Sequence, residues 1–232
     1  SAASCYLVEA GGATLVLDLG SGALGPLQRH VSLGGVDGVL LSHLHPDHCM
    51  DLCGYYVALR YGPVRRGVPV PVWGPRGSAE RMAEAYGLPA DPGMTGEFDF
   101  RTYPVEPFDA AGVGVRVAPV AHPVEAYAVR LEWEGRSVVY SGDTGPVESL
   151  VRLAEGADVL LCEASFPDAD TNPPDLHLSG RQAGEYAADA GVGRLVLTHI
   201  PPWGEPGKAL AEARSAFPGP VTLARPGLVV DI

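Results

Sequence analysis

The sequence contains no long apolar segment. No apolar run among its 232 residues reaches the roughly 18 that a membrane-spanning helix needs. Residues 1–9 also lack the positively charged and long apolar regions of a secretory signal. We therefore expect a cytoplasmic protein with no membrane partner.

Cysteine is scarce, and its spacing is not that of a disulfide framework. The chain has four cysteines. Cys49 and Cys53 are four positions apart, so on a helix they would share one face as small buried hydrophobic residues. We therefore expect no disulfide scaffold.

Basic residues are outnumbered by acidic ones. Lysine and arginine together number 16 against 28 aspartates and glutamates, which gives a formal net charge of -12. A polyanion such as tRNA would be repelled unless a local basic patch received it, and the sequence shows no such patch. A nucleic-acid polymer is therefore not an expected partner.

The sequence also lacks a linker-like charge run and a low-complexity stretch. Its 30 glycines and 22 prolines fall between apolar runs, where they act as turn signals. With 46% hydrophobic residues the chain can bury a large core. We expect one domain over residues 1–232, although the length alone would allow two.

What the sequence does contain is a dense group of metal-ligand residues. Three of its seven histidines and one aspartate lie in residues 42–48, directly after an apolar run. Imidazole and carboxylate are the ligands that borderline metals such as zinc prefer. His43 and His45 can share one side of an extended segment while Asp47 and His48 face elsewhere, so one cluster could serve two ions. A solvated polar loop is the alternative, and the density of ligand residues favours metal binding.

Further candidate ligands lie far along the chain. A zinc-like ion needs about four to five donors, so two ions need additional residues, ideally with one carboxylate bridging the pair. His122, Asp143 and His199 each follow an apolar, strand-like run. Loops at strand ends are where a rigid sheet carries functional residues. One such residue alone would more often be a packing residue, whereas three beside the cluster indicate a shared site.

The candidate ligands together form a recognisable pattern. The chain resembles the metallo-β-lactamase superfamily, and within it the RNase Z-like phosphodiesterase branch. The resemblance covers nearly the whole chain, although family members usually begin with an additional Gly-rich strand segment ahead of the position of Ser1. His43, His45, Asp47 and His48 match the HxHxDH motif, and His122, Asp143 and His199 match the later single-residue motifs.

The resemblance implies a site with two divalent metal ions. Asp143 and a hydroxide would bridge them. Zinc is the expected metal, and manganese or iron would also suit a set of nitrogen and oxygen donors. An aspartate instead of a cysteine at position 143 departs from the antibiotic-hydrolysing members, so we do not expect β-lactamase activity. The implied ligand sets are His43, His45 and His122 for one ion, and Asp47, His48 and His199 for the other.

Strand-like and helical runs alternate along the chain. This order predicts an α/β protein with two sheets between helical layers, in agreement with the four-layer αββα sandwich that the resemblance implies. The predicted strands are 5–10, 14–19, 36–41, 70–73, 98–103, 113–120, 127–133, 137–141, 159–162, 195–198, 221–223 and 228–231, and the predicted helices are 48–61, 77–86, 147–154, 180–190 and 207–217.

Three further residues are candidates for the site. Glu163 ends a buried strand and could hydrogen-bond a ligand histidine, although a capping role fits equally well. His177 resembles the histidine with which RNase Z-like enzymes protonate the leaving group, the alternative being a surface histidine. It lies in residues 165–178, an irregular segment typical of an active-site lid. Trp203 could wall the pocket or stack on a base, or pack in the core.

The segment between His122 and Asp143 bears on the substrate. RNase Z relatives that process tRNA insert a long arm there, whereas here a predicted hairpin of strands 127–133 and 137–141 fills it. Together with the acidic charge, this favours a small phosphodiester substrate, such as a cyclic nucleotide or a cyclic ribose phosphate.

The expected activity is metal-dependent phosphodiester hydrolysis. Asp47 would orient the attacking hydroxide or take its proton, and His177 would protonate the departing alkoxide. Three alternatives stay open: a lactone or thioester hydrolase on the same two-metal site, a tRNA 3′-processing endonuclease, and a non-catalytic binding protein. A homodimer is a further partner that the sequence leaves open.

Overall fold

The computed structural model describes residues 3–63, 66–169 and 171–232. These residues form two compact units. The N-terminal unit runs to Val105 and includes Asp109–Val113, and the C-terminal unit comprises Glu106–Phe108 and Gly114–Ile232. The expectation of one domain over residues 1–232 stays a prediction.

The N-terminal unit contains a sheet with the strand order β1-β2-β3-β4-β5. The first two strands form the predicted antiparallel hairpin, and the remaining pairs are parallel. The carboxyl ends of β2, β3 and β4 therefore lie at one edge of this sheet. Its elements are β1 (Tyr6–Ala10), β2 (Ala13–Leu17), α1 (Leu24–Leu27), a 3-10 turn (Leu33–Gly35), β3 (Gly38–Leu40), α2 (Pro46–Cys49), α3 (Leu52–Tyr61), β4 (Val70–Gly74), α4 (Ser78–Tyr86) and β5 (Phe98–Thr102).

The central strands of this sheet are apolar along most of their length. Leu15, Val16 and Leu17 of β2 are all buried, as expected for a parallel strand with both faces covered. The neighbouring β3 needs a glycine, since a Cβ on Gly38 would lie 2.7 Å from a ring carbon of Trp73. Strands β2 and β3 pair parallel, with Leu17 opposite Leu40, so Asp18 and Ser42 just beyond their carboxyl ends lie close together.

The predicted helix 48–61 is wrong in its first turns. The structure has two helices, α2 and α3, with a bend between them. The helical bond from Asp51 N–H to the Asp47 carbonyl is replaced, because Asp51 donates to the Leu19 carbonyl at 3.0 Å and Asp47 accepts from Ser4 at 3.0 Å. The Asp51 carboxylate also accepts the Leu24 N–H at 2.7 Å. Long-range hydrogen bonds therefore interrupt the helix.

The second sheet has the strand order β12-β11-β10-β9-β8-β7-β6 among the described residues. Strands β7, β8 and β9 pair antiparallel, and β9 to β12 pair parallel. The carboxyl ends of β9, β10 and β11 therefore share one edge. The elements are β6 (Phe108–Ala110), β7 (Val113–Pro119), β8 (Tyr127–Trp133), β9 (Arg136–Tyr140), α5 (Glu148–Ala154), β10 (Val159–Glu163), α6 (Gly180–Asp189), β11 (Arg194–Thr198), α7 (Pro206–Ala216) and β12 (Val221–Leu223).

Helices α6 and α7 pack closely against each other. A Cβ on Gly180 would lie 2.3 Å from the Ala209 carbonyl oxygen, and one on Gly184 would lie 2.5 Å from that of Ala213. Ser179 is the N-cap of α6, and its hydroxyl accepts the backbone N–H of Gln182 in a capping box. This start follows directly on the segment that carries His177.

One predicted strand is wrong, and one strand of the structure is absent from the prediction. Residues 228–231 are not a strand: the Leu228 N–H bonds back to the Arg225 carbonyl at 2.9 Å in a turn, and Val229 is 75% exposed. An apolar run without a neighbouring strand does not form a ladder. Strand β6 was not predicted, because three residues are too short to show an alternating pattern.

The other predicted elements are confirmed to within a few residues at their ends, and with them the mixed α/β fold with two sheets. The irregular segment 165–178 contains no helix or strand in its described part, and Asp170 lies outside the described residues. None of the helices in the described ranges has the length and apolarity to cross a membrane.

Candidate functional site

The N-terminal unit brings four of the predicted ligands together after β3. His43 and His48 are fully buried, His45 is half-buried and Asp47 is exposed. His43 Nε2 lies 3.0 Å from His45 Nδ1, and the ring centroids of His43 and His48 are 4.1 Å apart. The three imidazole rings of residues 43–48 are therefore close together and largely shielded from solvent.

Asp18 organises this cluster and is not among the residues that the sequence predicts for the site. The sequence predicts that it belongs to a strand, but β2 ends at Leu17 and Asp18 adopts a left-handed backbone conformation with φ 56°. Its carboxylate accepts hydrogen bonds from the Ser42 backbone at 2.6 Å, the Ser42 hydroxyl at 2.7 Å and His48 Nδ1 at 2.7 Å. The available signal was a lone aspartate directly after a strand that pairs with the strand before the cluster.

The Asp18 network sets which nitrogens of the histidines face outward. Because Ser42 donates its only hydroxyl proton to Asp18, it accepts from His43 Nδ1, which is 3.0 Å away. His48 Nδ1 donates to Asp18. Both rings therefore keep a lone pair on Nε2. For His48 that atom lies 3.6 Å from Asp47 Oδ2, which is an acceptor as well.

The C-terminal unit contributes Asp143 and His199 from the edge where β9 and β11 end. The Ser165 hydroxyl donates to the His199 carbonyl at 2.6 Å and therefore accepts from His199 Nδ1 at 2.8 Å. This leaves the lone pair of His199 on Nε2, which lies 3.4 Å from Asp143 Oδ2. His199 adopts φ 51°, so the backbone turns sharply at this predicted ligand.

A hydrogen bond fixes the tautomer of His122 in the same way. Its Nδ1 lies 3.1 Å from the Leu176 carbonyl oxygen, which can only accept, so Nδ1 carries the proton and Nε2 the lone pair. The preceding residue, Ala121, forms a bridge with Gly145. A Cβ on Gly145 would lie 2.6 Å from Asp175 Cα, so this contact requires glycine.

Glu163 and His177 form a pair within the same unit. Glu163 is fully buried, and its Oε1 accepts the Thr144 N–H at 2.6 Å and His177 Nδ1 at 3.0 Å. The histidine that it binds is thus the predicted acid and not a predicted ligand. The His177 side chain is 18% exposed, and Phe166 packs edge-on against its ring at 5.1 Å.

The surroundings of Glu163 act on its pKa in two directions. Burial raises the pKa of this carboxyl and the charge of Asp143 adds to the rise, while the hydrogen bond from His177 opposes it. Glu163, His177 and His199 also offer ligand atoms within 4.8 Å of one another, so they are a group that could itself hold a metal ion.

The cysteines take no part in this chemistry. All four are free, as the sequence predicts. Burial raises the pKa of the Cys49 thiol to about 12, so it stays protonated at neutral pH. A protonated thiol is a poor nucleophile, and no group of potential metal ligands among the described residues includes a cysteine.

The donor set fits metal ions. In two places, His48 Nε2 with Asp47 and His199 Nε2 with Asp143, a nitrogen lone pair faces a carboxylate oxygen at 3.6 Å and 3.4 Å. Two acceptors brought this close are stabilised by a cation between them. Nitrogen and oxygen donors of this kind suit zinc, manganese and iron.

Comparison with known proteins shows the family to which the chain belongs. The family model of the beta-lactamase superfamily domain matches residues 14–200. An uncharacterized protein of Mycobacterium leprae, ML1173, is 45% identical over 238 residues, which are 100% of this chain and 83% of the relative. Ribonuclease Z of Mycobacterium avium is 35% identical over 227 residues, which are 84% of this chain and 79% of the relative.

The metallo-hydrolase YhfI of Bacillus subtilis is similar in both sequence and structure. It is 30% identical over 235 residues, which are 98% of this chain and 92% of the relative. Its crystal structure, described as a metallo-beta-lactamase fold protein, superposes with a TM-score of 0.87 at 29% identity and covers 99% of this chain and 92% of that one. The chain is therefore a member of the beta-lactamase superfamily, a metallo-hydrolase with the metallo-β-lactamase fold.

Proposed function

We propose that the chain is a two-metal phosphodiesterase that acts on small phosphodiesters such as cyclic nucleotides or cyclic sugar phosphates. The observation that carries the proposal is the hydrogen bond between buried Glu163 and His177, in the same unit as the acceptor pair of Asp143 and His199. A reaction with a strongly basic leaving oxygen requires a general acid, and an imidazole fixed by a hydrogen bond beside the proposed metal ligands can serve as one.

The proposed ligand sets are those that the resemblance to the family implies. When bound, two divalent ions acidify a water molecule and neutralise the charge of the phosphate oxygens. Asp47 is exposed and able to orient that water or take its proton. We assign His43, His45 and His122 to one ion, Asp47, His48 and His199 to the other, and Asp143 to both.

His177 is the proposed general acid. Glu163 holds the Nδ1 proton, and its carboxylate stabilises the imidazolium form. The proton on Nε2 is then the one that passes to the departing alkoxide. After the transfer, His177 is neutral and keeps its hydrogen bond to Glu163, so the ring does not have to reorient.

The chain segment between His122 and Asp143 favours a small substrate. Strands β8 and β9 fill this segment and are joined by a tight turn at Glu134 and Gly135. The segment is a hairpin and provides no long arm. With a net charge of -12, the chain suits a small phosphodiester better than a tRNA.

A second candidate function is lactone or thioester hydrolysis, since the same kind of two-metal site can attack a carbonyl. The Glu163–His177 pair favours the phosphodiesterase over a thioesterase, because a thiolate leaves without a proton whereas an alkoxide does not. The similarity to Ribonuclease Z, whose name denotes cleavage of RNA phosphodiester bonds, supports the same chemistry.

A side-by-side assay tests the proposal. Protein reconstituted with zinc or with manganese is given 3′,5′-cyclic AMP, a base-free cyclic ribose phosphate, a precursor tRNA and an acyl-homoserine lactone at physiological salt. We expect turnover of the cyclic phosphodiesters and little of the other two. Fast lactone opening with negligible phosphodiesterase activity would favour the rival function, and efficient tRNA cleavage would refute the argument from size.

A further inference from the structure

Trp203 is the most exposed tryptophan in the described part of the chain. Its exposed fraction is 86%, and it lies between β11 and α7. Core packing, one of the roles that the sequence left open, is therefore excluded. An indole this exposed presents a large apolar face to solvent, and such a face can stack on the flat ring of a ligand.

The turn that carries Trp203 is stiff. Pro201 and Pro202 precede it and fix their own φ angles, and the Gly204 N–H donates to the Pro201 carbonyl at 2.8 Å. A Cβ on Gly204 would lie 3.1 Å from both Ile200 Cγ2 and the Pro201 carbonyl oxygen, so the turn is closely packed on itself. The indole is thus presented by a preorganised backbone at small entropic cost.

The turn also keeps Trp203 close to a proposed ligand. Trp203 follows His199 by four residues, and His199 is held at two atoms by Ser165. Because Gly204 folds back against Ile200, the chain between His199 and Trp203 is not extended. Trp203 therefore lies in the turn that directly follows His199 and the carboxyl end of β11.

We propose that Trp203 stacks on the base of a nucleotide substrate. The inference rests on the proposed phosphodiesterase function and makes its substrate class narrower. In a cyclic nucleotide the base is one sugar ring away from the phosphate, so a ring in the turn that follows His199 can meet the base while the phosphate is at the metals. Stacking of this kind tolerates any base, because every base has a π-face.

The variants Trp203→Ala and Trp203→Phe test the proposal, with Trp133→Ala as the matched control. Trp133 is also partly exposed, at 37%, and lies at the end of β8. We expect Trp203→Ala to raise KM for 3′,5′-cyclic AMP about 5- to 100-fold. Its kinetics on the base-free cyclic ribose phosphate should be unchanged. Trp203→Phe should retain most of the affinity, and Trp133→Ala all of it.

The outcomes separate the inference from the proposed function. Equal effects of Trp203→Ala on the two substrates, or no effect on either, would overturn the stacking role while leaving the phosphodiesterase in place. If neither substrate is hydrolysed, the proposed function fails. Stacking is then decided by binding of 5′-AMP to the metal-loaded protein: quenching of tryptophan fluorescence that persists in Trp133→Phe and is lost in Trp203→Phe supports it, and absence of quenching in the wild type refutes it.

Discussion

His48 donates from Nδ1 to the Asp18 carboxylate across 2.7 Å, and both side chains are fully buried. The hydrogen bond selects the tautomer of His48 that keeps a lone pair on Nε2. Carboxylates that hold a ligand histidine in this way fix its orientation and raise its basicity. Asp18 can do so because β2 and β3 are parallel neighbours, so the residues after them meet.

Asp18→Asn should weaken metal binding. The asparagine keeps the size of the side chain and an acceptor for the Ser42 N–H, but its amide group can donate to His48 Nδ1 and so favours the wrong tautomer. We expect an affinity loss of about 10- to 100-fold, measured by competition with a chelator. Asp37→Asn is the matched control, since Asp37 also accepts a backbone N–H, that of Thr14 at 2.9 Å. Equal affinity in Asp18→Asn and wild type would contradict the assigned role.

The candidate ligands could be predicted from the sequence because of their local pattern. His43, His45 and His48 are dense, and His122 and His199 each follow an apolar run. Asp18 could not be found in this way. A single aspartate after a strand has no distinguishing local signal, and its role depends on the pairing of β2 with β3, which is a non-local contact.

The same distinction applies to the fold. Strands with continuous apolar runs and helices with clear end signals, such as α4 with Gly87 in the left-handed conformation, could be predicted from local patterns. The break between α2 and α3 could not, because Leu19 and Ser4 take the hydrogen bonds of the helix backbone from far along the chain. Residues 228–231 show the converse, an apolar run that has no neighbouring strand.

His177→Ala should have an effect that depends on the leaving group. A general acid matters when the leaving oxygen departs as a strongly basic alkoxide, and it then contributes typically 10²–10⁴-fold. We expect kcat on 3′,5′-cyclic AMP to fall by about that factor and kcat on a p-nitrophenyl diester to change little. Steady-state kinetics on both substrates, together with metal content, provides the test.

The outcomes for His177→Ala are distinct. Equal losses on the two substrates would reject the role as an acid and indicate a positioning or folding role. Unchanged rates on both would leave His177 without a catalytic role. Loss of metal would point instead to a ligand role in the group formed with Glu163 and His199.

Glu163→Gln should reproduce the leaving-group dependence in weaker form. The glutamine keeps the shape and can still accept from Thr144 and His177, but it lacks the charge that stabilises the imidazolium. We therefore expect a smaller loss on the cyclic nucleotide than in His177→Ala, and again little loss on the p-nitrophenyl diester. A uniform loss on both substrates would show that Glu163 acts through the structure of the Thr144 loop.

Asp158 provides a test of stability against pH. Its carboxylate accepts the Ser137 N–H at 2.8 Å, and this bond, followed by the contacts with Arg136, lowers the pKa of Asp158. A lowered pKa means that the carboxylate stabilises the fold above the unfolded-state value, about 3.9, and that the contribution is lost as the pH falls through the folded-state value.

Asp158→Asn should therefore lower the free energy of unfolding by about 1 kcal/mol at pH 7. The difference from wild type should shrink as the pH falls below the usual range of aspartate, because the native carboxylate is then protonated too. Urea unfolding of both proteins at several pH values measures it. A difference that is constant with pH would show that the charge of Asp158 contributes nothing.

The most direct test of the account is the metal content of the purified protein. We expect about two transition-metal ions per chain in the wild type after reconstitution with zinc and desalting. Elemental analysis of Asp143→Ala, which removes the proposed bridging carboxylate, should show loss of at least one ion. The matched variant Asp109→Ala, in which an exposed aspartate that accepts the Gly112 N–H is removed, should keep both. A wild type that stays metal-free, or an Asp143→Ala variant that keeps both ions firmly, would contradict the two-metal site.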